Sequence, residues 1–365
     1  MSARAVSARA VNGRVSSDVA VIGFAEAPCV RHTNGTTNGV EMLVPIFQQV
    51  LAETGLDRRD IGFWCSGSSD YLAGRAFSFV SAVDAIGAFP PVMESHVEMD
   101  GAFALYEAWV KVLTGEVDVA LAYGFGKSSA GDLRRVLALQ LDPYTMAPLW
   151  PDSVGLAALQ ARLGLENHIW TERGMAEVAV RSRSAALGNP QAQLSGEVTA
   201  DELLAEPYLA EPLRAHDCAP VTDGAAVVVL AAADRARQLC ERPAWIAGFE
   251  HRIDSAEFGG RDLTTAPSAA AAGSAAGAAG VDVAELHAPF THQELILRDA
   301  LGLGESARIS PSGGALAGNP MFAAGLARIG HAARQVMSGQ AERALGHATS
   351  GPALQQNLVC VLEAQ

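Results

Sequence analysis

Apolar residues fall along this chain in two rhythms. Short unbroken runs that end in glycine alternate with longer stretches whose apolar positions recur every three or four residues. The first run, Asp18-Val-Ala-Val-Ile-Gly23, reads as a strand buried on both faces. Residues 40–53 then carry Met42, Leu43, Ile46, Phe47, Val50 and Leu51 at helical spacing, with Gly55 placed to end the helix. The alternation continues as a strand at 61–67, a helix at 77–86, an extended piece at 91–96, a helix at 100–113 and a strand at 117–124. This order predicts an α/β class with a mixed or parallel buried sheet.

From 127 to about 217 the rhythm changes. Leu, Ala, Pro and charged residues dominate, with helical stretches at 133–141 and 175–187, so the segment reads as a helical insertion. Sheet rhythm resumes at 223–230. The Ala/Gly/Ser-rich stretch 266–280 reads as a small-residue helix packed closely on a neighbour. A strand at 281–287, a helix at 293–301, a tight loop at 310–314, a helix at 322–337 and a strand at 358–363 follow. The second half repeats the order of the first, which points to an internal duplication.

Composition narrows the functional classes. Of 365 residues 49% are hydrophobic, enough for a large core, which rules out wholesale disorder. Lys and Arg number 26 against 40 Asp and Glu, a net charge of -14, which argues against nucleic-acid binding. Cys29, Cys65, Cys218, Cys240 and Cys360 are scattered, with neither a disulfide framework nor zinc spacing. That use of cysteine suits a reducing cytosol, and a cytoplasmic location is expected. Residues 1–17 hold Arg4, Arg9 and Arg14 among small residues without an apolar stretch, so they read as a frayed leader, not a secretory signal. No run is apolar enough to span a membrane.

Several segments, in order along nearly the whole chain, resemble the thiolase superfamily, and most closely its sterol-carrier-protein-x and lipid-transfer-protein branch. They are Val19-Ala-Val-Ile-Gly23, Gly101-Ala-Phe-Ala-Leu105, Ala122-Tyr-Gly-Phe-Gly-Lys127-Ser, Pro220-Val-Thr-Asp-Gly-Ala-Ala226, Glu285-Leu-His-Ala-Pro-Phe290, Ser310-Pro-Ser-Gly-Gly314 and Leu354-Gln-Gln-Asn357. The resemblance implies a thiolase-like fold: two duplicated halves in a five-layer αβαβα arrangement, with a helical loop domain inserted. On that basis the first half covers 18–126 and 218–232, the insertion 127–217 and the second half 233–365. Phe63-Trp-Cys-Ser-Gly-Ser-Ser-Asp70 and His347-Ala-Thr-Ser-Gly-Pro-Ala-Leu-Gln-Gln-Asn357 are similar to actinobacterial steroid side-chain retro-aldolases of the lipid-transfer-protein type. Members of that group cleave a β-hydroxyacyl-CoA into a ketone or aldehyde and a shorter acyl-CoA. They need no cofactor beyond the CoA thioester substrate. The resemblance also implies a small OB-fold/zinc-ribbon partner protein, and a homodimer or a heterodimer with a second lipid-transfer-protein homologue.

The chain departs from a thiolase at each reacting group. Aligned on Gly101-Ala-Phe-Ala-Leu105, Glu98 stands where the nucleophilic cysteine belongs, as a carboxylate able to cap the following helix. Gly318-Asn319-Pro320 replaces Gly-His-Pro, and Asn is not a general base near pH 7. Gly346-His-Ala-Thr-Ser-Gly351, read as a loop, replaces the segment with the second cysteine. These departures argue against Claisen chemistry through an acyl-enzyme. A retro-aldol reaction needs a base for the β-hydroxyl, donors for the thioester enolate and an acid for its carbon. The resemblance places His287 first as the acid/base. His347, Asn319, Glu98 and His292 are the further catalytic candidates. Ser312, Gly313, Gly314, His96, Asp100, Ser350 and Gly351 are candidates for substrate contact, with Tyr71 also considered. Lys127, Arg134 and Arg135 are basic candidates for CoA. Loss of every thiolase group fits two rival readings as well: a catalytically silent subunit that supports an active homologue, or an acyl-CoA or sterol-binding protein.

Overall fold

The computed structural model describes residues 18–33, 39–70 and 77–365. The leader read at 1–17 and Tyr71 lie outside the described residues. The first half runs β1 (Val19–Glu26), α1 (Val40–Thr54), β2 (Phe63–Gly67), α2 (Ser78–Ile86), β3 (Glu94–Val97), α3 (Gly101–Leu113) and β4 (Val119–Gly126). Next come α4 (Leu133–Leu139), α5 (Ser153–Glu166), α6 (Glu172–Ala185), α7 (Ala200–Leu204) and the short strands β5 (Tyr208–Ala210), β6 (Leu213–Arg214) and β7 (Val221–Thr222). The chain then forms β8 (Gly224–Ala232), α8 (Ala233–Leu239), β9 (Ala244–Ile253), α9 (Pro267–Ala276), β10 (Val283–Glu285) and α10 (Thr291–Ala300). It ends with β11 (Arg308–Ile309), α11 (Gly314–Ala317), β12 (Asn319–Pro320), α12 (Ala324–Met337), β13 (Arg343–Ser350) and β14 (Gln356–Glu363).

Ten strands form one sheet in the order β11-β10-β13-β14-β9-β1-β8-β4-β2-β3. The duplication is visible in this order. β3, β2 and β4 are mutually parallel, and β8 and β1 follow antiparallel. In the other half β11, β10 and β13 are parallel, and β14 and β9 follow antiparallel. The two halves meet where β1 pairs antiparallel with β9.

Strand alternation builds the layers. Ala226, Val228 and Leu230 of β8 point into a central core with α3 and α12, while Val227, Val229 and Ala231 point to α1 and α8. In the second half Leu358, Cys360 and Leu362 face the centre, and Val359 and Val361 face α9 and α10. Strands covered on both sides read as the continuous apolar runs seen in the sequence. The expected small-residue helix is α9. A Cβ at Gly248 of β9 would fall 2.2 Å from the Ala276 carbonyl oxygen, so only a bare backbone lets the two elements touch.

Three expectations change. Most of 346–351, read as a loop, belongs to a full strand over Arg343–Ser350, because its Ala, Gly and Thr lie against α12 and need no bulk. A Cβ at Gly346 would meet the Ile329 backbone at 2.5 Å. β9 and α5 carried too little periodicity to be seen. Glu98 does not cap α3: the helix starts at Gly101, and Asp100 is its N-cap.

Candidate active site

The N-termini of α3 and α12 meet at one carboxylate. Asp100 Oδ1 accepts from the Ala102 and Leu326 N–H groups, and Oδ2 from Gly325 N–H, each at 2.9 Å. Burial pushes this carboxyl upward, while the three N–H groups and Arg328 hold its charge. With both oxygens engaged in this way, Asp100 joins two helices. The segment 319–322 runs past the same point. Gly101 N–H donates to the Phe322 carbonyl at 2.7 Å. A Cβ at Gly124 or Gly126 would lie 2.2 Å from Phe322 O or 2.0 Å from Met321 O. The glycines of Ala122-Tyr-Gly-Phe-Gly126 thus let this segment lie directly on β4.

That segment presents Asn319, and β10 leads into His287 beside it. His287 Nε2 is 3.1 Å from Asn319 Oδ1, and the Thr349 N–H points at His287 Nδ1 at 3.4 Å. A backbone N–H can only donate, so Nδ1 accepts and the proton of the neutral ring is on Nε2. Nε2–H then requires an acceptor, which places Asn319 Oδ1 against it and turns the amide NH2 away. Among the described residues nothing accepts from that NH2. Burial, aided by Arg328, pushes the His287 pKa down to about 4, so the ring is neutral near pH 7. Both of its nitrogens are engaged within the protein.

His347 sits in β13, wholly buried, not in a loop. Its Nε2 is 3.0 Å from Asn357 Oδ1, and its Nδ1 is buried without a hydrogen-bond partner. Burial pushes its pKa to about 3. His292, in the first turn of α10, is also fully buried. Its Nε2 meets Gln160 Oε1 of the insertion at 3.1 Å, its ring lies between Trp170 and Phe290, and burial lowers its pKa to about 3. It ties the insertion to the second half and shares no hydrogen bond with the His287–Asn319 pair among the described residues.

Below the pair lies a buried charged group that the sequence did not reveal. Glu285 accepts from Ser312 N–H at 2.9 Å and from Ser312 Oγ at 2.6 Å. Arg328 of α12 donates to Ser312 Oγ at 2.6 Å and lies 3.3 Å from Glu285. Ser312 is thereby engaged inside the protein. Gly313 and Gly314 have φ of 94° and 64°, and Ser182 and Asn189 of the insertion bond the carbonyls of Gly313 and Ser312 at 2.5 and 3.1 Å. Nearby, His331 Nε2 is 2.7 Å from Glu26. Burial raises the Glu26 carboxyl, but His331, Arg328 and Arg334 outweigh it and hold it below its usual value.

The remaining candidates share no hydrogen bond with the His287–Asn319 pair among the described residues. His96, on the open edge strand β3, stacks on Phe79 and meets Ser66 Oγ at 2.9 Å. Its Nε2 is 3.6 Å from Glu98, whose side chain is half exposed. No hydrogen bond among the described residues links Glu98 to the His287–Asn319 pair. Ser350 ends β13 and Gly351 opens the turn after it, with φ of 74°. Lys127 is buried and paired with Glu41 at 2.6 Å, so it is not a surface charge for CoA. Arg134 pairs with Asp152 at the surface, and Arg135 is exposed.

The cysteines agree with the missing thiolase groups. Burial is the first cause that raises every one of the five thiols: Cys29, Cys65 and Cys218 to about 12, Cys240 and Cys360 upward as well. None is the activated thiolate that acyl transfer requires. No group of His, Cys, Asp and Glu among the described residues has the arrangement of a metal site. No helix of the described residues is long and apolar enough to cross a membrane.

No family model matches the chain. An acetyl-CoA acetyltransferase of Methanothermobacter thermautotrophicus is 27% identical over 290 residues, 72% of this chain and 76% of that protein. A 17-hydroxy-3-oxo-4-pregnene-20-carboxyl-CoA lyase of Mycobacterium tuberculosis is 25% identical over 241 residues, 63% of this chain and 61% of that one. The solved Ltp2-ChsH2(DUF35) aldolase superposes with a TM-score of 0.79 at 19% identity, over 96% of this chain and 99% of its own. The fold is thiolase-like, and the chain resembles thiolase-superfamily proteins, steroid-CoA lyases among them.

Proposed function

We propose that this chain cleaves a β-hydroxyacyl-CoA on a steroid side chain by a retro-aldol reaction, giving a ketone or aldehyde and a shorter acyl-CoA such as propionyl-CoA. The observation that carries this reading is the His287–Asn319 pair in a fold with no activated cysteine. The likeness to a pregnene-carboxyl-CoA lyase and to a solved aldolase supports it, and supplies the steroid and the CoA.

In the reaction a base takes the proton of the β-hydroxyl. The electron pair of that O–H bond forms the new carbonyl, and the carbon–carbon bond breaks. Its electrons move into the thioester, whose oxygen becomes an enolate. The free NH2 of Asn319 is suited to hold that oxygen, because His287 Nε2–H fixes the amide by its carbonyl end. The enolate carbon then takes a proton. We assign His287 to orienting Asn319 in place of the acid/base role, since both its nitrogens are engaged within the protein. Glu98, with its exposed carboxylate, and His347, with its bare Nδ1, are the candidates for moving protons.

We further assign this chain the small OB-fold/zinc-ribbon partner and the homodimer or lipid-transfer-protein heterodimer that its family resemblance implies; the two-protein name of the solved Ltp2-ChsH2(DUF35) aldolase supports a heteromeric partner. The decisive experiment incubates the chain, alone and with such a partner, with a steroid β-hydroxyacyl-CoA and follows short acyl-CoA by mass spectrometry. Release supports the reading. Binding of the thioester without release would favour the silent-subunit reading, and thiolysis of acetoacetyl-CoA would point to acyl transfer.

A further inference from the structure

The turn joining β13 to β14 is built from residues that rarely take its conformation. Gly351 has φ of 74°, and two L-residues, Ala353 and Leu354, follow at 52° and 58°. Neighbouring left-handed residues of this kind persist only where the surroundings over-determine them. Here the surroundings are specific. The Arg261 guanidinium, stacked over Phe258, donates to the Pro352 carbonyl at 2.9 Å and the Ala353 carbonyl at 3.4 Å. Asn357 Nδ2 donates to the Leu354 carbonyl at 2.8 Å. Ser268 Oγ and the Asp254 N–H both donate to the Gln355 carbonyl, and Leu354 is fully buried.

Asn357 faces two ways. The Leu354 carbonyl can only accept, so the amide nitrogen must point to it. Its other face then shows Oδ1 to His347, 3.0 Å away. An amide oxygen can only accept, so His347 carries its proton on Nε2 and has a lone pair on Nδ1. That Nδ1 is buried and has no partner. Asn357 Nδ2 also donates to Ser268 Oγ at 2.8 Å, so the left-handed turn and Ser268 together dictate which nitrogen of His347 is the acceptor.

We propose that Asn357 and Arg261 are positioning residues: through the left-handed turn they hold His347 as the single Nε2–H tautomer and keep its Nδ1 as a standing acceptor for a hydroxyl or a water. For catalysis this rests on the retro-aldol reading above, because a fixed acceptor matters only if a hydroxyl is deprotonated here. The tautomer itself does not depend on that reading.

The test uses full-length protein labelled with 15N-histidine, in which two-bond proton–nitrogen couplings report the tautomer of each ring. His347→Gln identifies the resonance. Wild type is expected to show one Nε2–H form. Asn357→Leu, which removes its contacts with Leu354, Ser268 and His347, is expected to give mixed tautomers. Arg261→Met leaves Asn357 in place and frees the turn. It is expected to mix the tautomers in part and to speed amide exchange at 353–357 by about tenfold. Arg261→Lys should restore part of both. In turnover assays Arg261→Met should lower kcat about tenfold with KM held. A merely structural role would lower the melting temperature and leave the tautomer alone. A single Nε2–H form retained in Arg261→Met would overturn the proposal, as would an Nδ1–H form in wild type. Arg261 is only half buried, so its variants decide the matter even if Asn357→Leu does not fold. If wild type turns over no substrate, the retro-aldol reading fails while the tautomer result still stands or falls by itself.

Discussion

Asn319 and His287 divide one task between two side chains, and substitutions can separate the parts. Asn319→Leu keeps the size and removes the donor for the enolate. Its kcat is expected to fall by about a hundredfold or more with KM little changed, read from short acyl-CoA release. If His287 orients the amide, His287→Gln, which can still donate to Oδ1, should recover much of the activity that His287→Ala loses. If it moves protons, the two variants should be equally inactive. These two side chains were visible in the sequence because they stand at positions of the resembled family's motifs, Glu285-Leu-His-Ala-Pro-Phe290 and Gly318-Asn319-Pro320. Glu285, Arg328 and Asn357 were not singled out as site residues. A charged residue in an amphipathic helix reads as solvated surface, and only the packing of α12 in the central core shows that Arg328 is buried. His292 was placed among the reacting groups, yet its partner Gln160 lies 132 positions earlier in the chain, a pairing with no local signal.

At the scale of elements, the glycines of β4 matter more than any side chain on it. Gly124 and Gly126 let the backbone of 321–322 lie on the strand, and that backbone carries Asn319. Gly126→Ala puts a Cβ 2.0 Å from a carbonyl oxygen, so either the strand or the segment must move. The expected cost is about 3 kcal/mol in denaturant melts, with activity lost beyond what the melt explains, because the donor shifts with its segment. The family likeness was carried in part by these glycines, and the structure gives the physical reason. β13 was misread because a strand pressed against a helix uses small residues, and Ala, Gly, Thr and Ser look like a loop. β9 was missed since its exposed and half-buried positions break the apolar rhythm. Where strands are covered on both faces, as in β1, β4 and β8, the sequence alone placed them within a few residues.

The molecule as a whole holds three neutral, buried histidines: His287, His292 and His347, with pKa values near 4, 3 and 3. In the unfolded chain each titrates near its ordinary value of about 6.5. Below that value the unfolded state binds protons that the folded state refuses, so stability is complete above pH 6.5 and declines as pH falls toward 4. Each histidine contributes a slope of about 1.4 kcal/mol per pH unit in that window. Urea melts at a series of pH values should show the decline, and His292→Gln should reduce the slope by about one histidine's share. A stability that is flat from pH 7 to 5 would contradict the burial of these rings. The doubling of the sheet about the β1–β9 pair was legible as a repeated order of elements. The burial that sets these histidines apart was not, for it comes from partners distant in the chain, such as Gln160 for His292 and Asn319 for His287.

Short acyl-CoA release from a steroid β-hydroxyacyl-CoA, compared between wild type and Asn319→Leu in the presence of the OB-fold partner, tests the central claim most directly. Release by wild type that falls about a hundredfold or more in the variant, with both proteins binding the thioester equally, is the predicted result. Equal release by the two proteins would remove Asn319 from the reaction, and no release by either would make this chain a binding or supporting subunit.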